Sequence, residues 1–325
     1  MSASHWAAPV LATLLAVPAA GQASLIPIPA GPAAAVSPDG TTVAGTSASG
    51  GGGYVWSQAA GATLLGETDA VGVNAAGTQA YGNMVDPASG FLSAGVHTLG
   101  AGWQALLGLP GDPGCSFDFS SASAWSDDGT VATGRAWQGC QSRAFRWTPS
   151  TGMTPLPMTA TGPTRGNAVS GDGQFIGGWD QASGNLTRAA LWKPDGSVDL
   201  ILQNQPGNPD GFGETRGLSG DGTFAVGSSI PGGFLWSAGQ VLAVFEATSS
   251  VLFSVPRAVS DDGETVVGSE GGAGVFGAPH EAWIWREGSG VEWVADVVEH
   301  YGLPSPGFSF SHATDVTPDL SLIHI

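Results

Sequence analysis

Val169-Ser170-Gly171-Asp172-Gly173, continuing as Gln174-Phe175-Ile176-Gly177-Gly178, is the stretch whose reading decides the fold. The same pattern stands at Val36-Ser37-Pro38-Asp39-Gly40 with Gly45, Val73-Asn74-Ala75-Ala76-Gly77 with Gly82, and Trp125-Ser126-Asp127-Asp128-Gly129 with Gly134. It returns at Leu218-Ser219-Gly220-Asp221-Gly222 with Gly227 and at Val259-Ser260-Asp261-Asp262-Gly263 with Gly268. In all six copies the second glycine lies five residues after the first, and successive first glycines are 37, 52, 44, 49 and 41 residues apart. A fixed motif at that period is the mark of a repeat architecture.

Each copy reads as a β-hairpin: Asp-Gly supplies the positive φ angles of a type I′ turn, and alternating apolar residues flank it. A second strand pair follows, as in Arg143-Ala144-Phe145-Arg146-Trp147-Thr148 turning at Pro149–Gly152 into Met153-Thr154-Pro155-Leu156. Glu281–Arg286 and Val291–Val294 repeat the arrangement, and Trp56, Trp192 and Trp236 mark the same third strand, with His97 in that place in repeat two. Four short strands in 37–52 residues is one β-propeller blade. The fold class read here is therefore all-β, a propeller of six full four-stranded blades plus a truncated seventh. The repeats start near residues 35, 72, 124, 168, 217, 258 and 315. No stretch carries a convincing helical period. The tryptophans Trp147, Trp192, Trp236 and Trp285 are expected to fill the space between blades. Repeat seven is cut short: Val316-Thr317-Pro318-Asp319 is followed by Leu320 instead of Gly. The chain is thus read as a fragment. In the complete ring, residues 25–29 should close the seventh blade beside residues 312–323, at its outer edge because Pro27 and Pro29 donate no N–H.

The chain of 325 residues holds 9 Lys+Arg against 27 Asp+Glu, a formal net charge of −18. That balance argues against nucleic acid or an anionic membrane as partner. Ala7–Val17 is a short apolar core and Gly21-Gln22-Ala23 a small-residue cleavage site, so residues 1–23 read as a signal peptide, although its n-region has only His5. Residues 24–325 form the repeat domain. No later segment reaches transmembrane length. Export places the chain outside the cytoplasm, where an oxidising compartment favours a bridge between Cys115 and Cys140; two buried free thiols are the alternative.

The alternation of Ala144-Phe145-Arg146-Trp147-Thr148 and Gly152-Met153 with Ser-x-Asp-Gly-x-x-Val-x-Gly resembles the HAF-type extracellular repeat proteins, over roughly residues 30–323. That resemblance implies a bacterial secreted or cell-envelope protein, often with a C-terminal sorting segment, and implies no activity. Ala76 in the turn of repeat two and the missing glycine of repeat seven depart from the pattern.

Residues that could carry chemistry are few. The turn pairs Asp39-Gly40, Asp128-Gly129, Asp172-Gly173, Asp221-Gly222 and Asp262-Gly263 read as structural turns. Calcium is the other reading, but calcium needs oxygens converging in one sphere. A local oxygen cluster, Asn208, Asp210 and Glu214, is the better cation loop, though it lacks EF-hand spacing. Gly272–Gly277 matches G-x-G-x-x-G but precedes a Trp-rich strand where a dinucleotide site needs a helix. Asn185-Leu186-Thr187 fits a glycosylation acceptor. His280–Glu281 and His312–Asp315 pair histidines with acids, but adjacent strand residues face opposite ways. Trp137 and Trp179 lie outside the repeat consensus; loop packing is the plain reading, and stacking on a sugar the functional one. No catalytic residue, metal or cofactor is assigned. The sequence reads as a non-enzymatic binding or structural module for an extracellular glycan or protein, with a carbohydrate-active propeller as the alternative: a glycan-binding protein, polysaccharide lyase or hydrolase. An enzyme would gather His, Arg, Lys or paired carboxylates at one end of the central channel.

Overall fold

A computed structural model describes residues 12–16, 24–28, 30–66, 69–74, 76–106, 108–109, 119–181, 186–205, 208–229, 232–248, 253–271, 280–303, 310–317 and 322–324. Cys115, the Gly272–Gly277 loop, Asn185, residues 318–321 and most of the expected signal peptide lie outside them.

Six consecutive antiparallel sheets of four strands follow the six repeats, each in simple sequence order from an innermost to an outermost strand. The innermost strands are Ala33–Val36, Asp69–Val73, Ser120–Trp125, Thr164–Val169, Gly213–Leu218 and Phe253–Val259. Each runs into the recurring turn, Ser-x-Asp-Gly in five blades and Asn74 to Gly77 in the second, so all these turns sit at one end. The fold is an all-β propeller with six four-stranded blades.

The chain ends make one more sheet, in the order Ser24–Ile28, Ala12–Ala16, Leu322–His324, Asp315–Val316. The segment 25–29 was expected at the outer edge beside 312–323. Ser24–Ile28 does take that edge, but Ala12–Ala16, from within the expected signal peptide, stands between. Leu25 packs towards blade six, while Ile26 and Ile28 pack against Val43, Tyr54 and Trp56 of blade one. The core is accordingly divided: the described residues form seven apolar clusters, one at each junction between neighbouring sheets.

The turn chemistry corrects one expectation. In the recurring turns only the glycine has a positive φ, +70° at Gly40 and at Gly129, so these are not type I′ turns. The amide of Gly40 donates to the Ser37 carbonyl at 2.7 Å, and that of Ser37 to the Thr42 carbonyl at 2.8 Å, giving an ordinary turn closed by a left-handed glycine. The aspartate acts through its side chain. Asp128 accepts from Ser126 Oγ at 2.7 Å and from the Thr130 amide at 2.9 Å, while Ser126 Oγ accepts from the Val131 amide at 3.0 Å. Copies at 37–42, 170–175, 219–224 and 260–265 repeat the set. Repeat two tolerates Ala76 because Asn74 Oδ1 accepts from both the Thr78 and Gln79 amides, at 2.9 and 3.0 Å. One amide side chain does the work of serine and aspartate together. A type I′ turn does occur at Gly139-Cys140, both at φ 60°, between the paired residues Gln138 and Gln141.

Of the third-strand tryptophans, Trp56, Trp192 and Trp236 are buried, whereas Trp147 and Trp285 are half-buried at the same junctions. His97 holds the equivalent register position, opposite Ala80, and packs edge-on to Trp103 at 5.3 Å. A seven-residue helix, Val294–His300, follows the last strand of blade six and buries Val294, Val297 and Val298. Its i, i+3, i+4 spacing is a helical period one turn long, too short to register against the strand pattern.

Candidate functional site

The site is built by a distortion repeated in every blade. Each innermost strand carries a register shift two residues before its last apolar residue, skipping residues 34, 71, 123, 167, 216 and 257. A β-bulge leaves the extra residue unpaired and re-aims it. Here Ala34, Val71, Ser123, Asn167, Arg216 and Arg257 line the central channel, with Thr314 at the matching position of the closing sheet. The recurring second glycine is the partner of the bulge. A Cβ on Gly134 would lie 2.0 Å from the Ser121 carbonyl oxygen, and one on Gly178 2.0 Å from that of Arg165. Only glycine lets the bulged strand lie that close.

The channel opens as a cavity of about 250 Å³ lined by segments from all six inner strands and from residues 314–317. Its two ends differ in charge. At the turn end stand Asp127 and Asp261, with the Gly220 amide donating to Asp261 Oδ1 at 2.6 Å. Burial, then the neighbouring Asp261, Asp128 and Asp172, push the Asp127 carboxyl up. Asp315, which also lines the channel, accepts from the Val36 amide at 3.0 Å and from that of its own neighbour Val316 at 2.9 Å. Burial, with a contribution from Asp127, pushes it up to about 6.

Further along the inner strands Arg216 and Arg257 make the wall basic, with Arg165 and His312 near them but outside the lining. Arg216 donates to Glu214 and, through Nε, to Ser228 Oγ at 3.2 Å. Asn167 Nδ2 donates to the same Glu214 at 3.1 Å. Arg257 and Arg165 each have a buried Nε without a hydrogen-bond partner, and neither forms an ion pair among the described residues. Among the described residues Arg165 reaches Ser123 Oγ, at 3.5 Å. Burial lowers both guanidinium pKa values, and Arg216 lowers both further. His312 stacks on His280 with ring centroids 4.9 Å apart. Burial, Arg257 and His280 together pull His312 down to about 4, so it is neutral at pH 7.

The residues singled out from the sequence fare differently. The turn aspartates are occupied within their own turns. In Asp39 the bonds from Ser37 and Thr41 hold the carboxyl below its ordinary value; in Asp128 and Asp221 burial works upward but such bonds outweigh it. The cation loop does not assemble as expected. Asn208 exchanges both of its amide groups with the Phe212 backbone, at 2.7 and 2.8 Å, and Glu214 turns to Arg216 and Asn167. Asp210 is exposed. No group of three His, Cys, Asp or Glu able to hold a metal exists among the described residues. Trp137 and Trp179 lie on second strands, not in loops, and are half-buried; Trp179 is directly cross-strand from Arg165. His312 and Asp315 belong to different surroundings, as described, and His280 pairs with His312, not with Glu281. No free cysteine stands among the described residues, and Cys115, the partner expected for Cys140, is outside them. Sequence reading missed Arg165, Arg216 and Arg257, which only an alignment of the repeats on their turns would have put side by side.

No family model matches the chain, and no curated protein matches it. Solved structures do. A putative TolB from Agrobacterium tumefaciens aligns with 96% of this chain and 95% of its own, at 16% identity and a TM-score of 0.52. An oligogalacturonate lyase solved in complex with manganese aligns over 88% and 84%, at 14% identity and a TM-score of 0.53. A prolyl endopeptidase aligns over 85% of this chain but 44% of its own, at 13% identity and 0.56. At these identities the likeness is one of fold: the chain is a β-propeller of the architecture those proteins share.

Proposed function

We propose that this chain is an exported, envelope-associated propeller acting as a non-enzymatic binding module, with its ligand, in the first instance a glycan, in the central channel. The observation that carries this reading is the set of bulges that turn one side chain per blade into the channel, two of them arginines and one an asparagine on adjacent blades. The HAF-type motifs and the signal-like N-terminus support the address. No helix among the described residues is long and apolar enough to cross a membrane. The sheet of chain ends is read as the place of the seventh blade, less the strand Ala12–Ala16 that cleavage of the leader removes, and the Cys115–Cys140 bridge as an extracellular staple. No cofactor is assigned, calcium included.

Ala34 is exposed to the channel on blade one, with the closing sheet between it and Arg257 of blade six, so Ala34→Trp fills the channel while leaving every arginine in place. On a glycan array, the wild-type protein should retain a glycan that Ala34→Trp releases. Retention by both places the site elsewhere and rejects the reading, as does retention of no glycan. A second reading, a carbohydrate-active enzyme, draws on the basic residues at one end of the channel, with His312 near Arg257, and on the fold shared with a lyase. Cleavage of the retained glycan on prolonged incubation would favour it.

A further inference from the structure

Three of the nine cationic side chains in a chain of net charge −18 stand on the inner strands of blades four, five and six: Arg165, Arg216 and Arg257. Arg216 and Arg257 occupy the bulged position that is Ala34, Val71 and Ser123 in blades one to three; Arg165 lies two residues before it in blade four. Like charges gathered this way repel, and burial adds to the cost. Among the described residues one carboxylate answers them, Glu214, and it is shared between Arg216 and Asn167. Arg257 is left with a buried, unbonded Nε and a cationic neighbour. Charged groups kept unpaired at a cost to the fold are the pattern of a site waiting for a counter-ion.

Resting on the channel reading above, we infer that the arginine end of the channel binds a small carboxylate-bearing molecule, held by Arg257 and the free side of Arg216, with Arg165 adding positive charge from behind the lining. Guanidinium forks match carboxylate geometry in a bidentate manner, which ammonium groups do not. His312, neutral and beside Arg257, adds a hydrogen-bond partner without adding charge. A cavity of about 250 Å³ lies just below the usual range for small-molecule sites and suits a single sugar-sized unit. The acidic turn end, with Asp127 and Asp261, repels such a ligand, so it enters from the arginine end. The chemistry is shared by an acidic sugar and a small polycarboxylic acid.

Calorimetric titration at low salt with glucuronate, glucose and citrate separates the cases. Glucuronate alone binding identifies the acidic sugar, citrate alone the polycarboxylic acid, and both the carboxylate itself. Glucose binding as well as glucuronate, or no binding of either acid, overturns the inference. Arg257→Met should weaken the bound acid by about ten- to a hundredfold, as expected for charge-assisted bonds. Its thermal midpoint should stay level or rise, because an unpaired buried charge is removed. A fall in midpoint with unchanged affinity makes Arg257 structural and also overturns the inference. If Ala34→Trp releases an array glycan that Arg257→Met still holds, the channel reading stands and the carboxylate assignment fails.

Discussion

Replacing Asp315 by Asn isolates the electrostatic cost of closing the ring. The Asp315 carboxylate bridges to the Val36 amide of blade one at 3.0 Å, yet burial, and Asp127 beyond it, raise its pKa from 3.8 to about 6. A folded-state pKa above the unfolded one means that the fold prefers the protonated acid. Its ionisation therefore subtracts from stability, fully above about pH 6 and not at all below about pH 3.8. A rise of about two units corresponds to about 3 kcal/mol, at roughly 1.4 kcal/mol per unit. Asn keeps an oxygen for the Val36 N–H and carries no charge, but it puts an amide nitrogen where the carboxylate Oδ1 accepted from the Val316 N–H, a loss of about 1 kcal/mol at every pH. Urea unfolding should find Asp315→Asn more stable than wild type by about 1–2 kcal/mol at pH 7 and slightly less stable at pH 4. The turn aspartates do not blur this window. Asp39, Asp128 and Asp221 are held below 3.8, so their contributions are lost only as pH falls further, through those lowered values. A variant less stable than wild type at pH 7, or one offset equally at both pH values, would refute the reasoning by showing that the charged hydrogen bond outweighs burial.

Asp128→Ala removes the acceptor for Ser126 Oγ and the Thr130 amide and should cost about 2 kcal/mol in denaturant unfolding. Asn74→Ala should cost as much, while Ala76→Asp, in a turn already served by Asn74, should change stability by less than about 0.5 kcal/mol. Gly134→Ala drives a Cβ to 2.0 Å from the Ser121 carbonyl and should destabilise by about 3 kcal/mol or more, read by thermal or chemical unfolding. If Cys115 and Cys140 are bridged, thiol titration of the unfolded, unreduced chain finds no thiol, and reduction lowers stability by about 3 kcal/mol; two titrated thiols reject the bridge.

The architecture was legible because it is written in the backbone's needs. Ser-x-Asp-Gly specifies a turn by local hydrogen bonds that need no tertiary context, and a tryptophan on five of the six third strands marks the junction core. What misled was treating the turn as a two-residue dipeptide signal: Asp-Gly suggests positive φ at both residues, but the serine hydroxyl and the aspartate carboxylate close a longer loop in which only glycine is left-handed. The short helix Val294–His300 was illegible for another reason, since one apolar turn packed on blade six is settled by tertiary burial and not by periodicity.

The site was illegible in one sense and recorded in another. Asn208, Asp210 and Glu214 attracted notice as oxygens close in sequence, yet a propeller assembles its channel from residues one repeat apart. Arg216 and Arg257 are 41 residues apart and become neighbours only when the repeats are superposed on their turns. The clue that such a superposition matters is the second glycine. A strand glycine with no positive φ, such as Gly134 or Gly178, is not there for a turn. It recurs because the neighbouring strand's carbonyl presses against it, and that carbonyl is displaced because the strand bulges. The bulge in turn is what points residues 123, 167, 216 and 257 at the channel. Thus the Val-x-Gly half of the motif, which carries no chemistry itself, marks in each repeat the position from which chemistry is presented. On the channel reading proposed above, variation among Ala34, Val71, Ser123, Asn167, Arg216, Arg257 and Thr314 is variation in ligand contact on a fixed scaffold, and the charge concentrated on its basic side is what would specify the ligand.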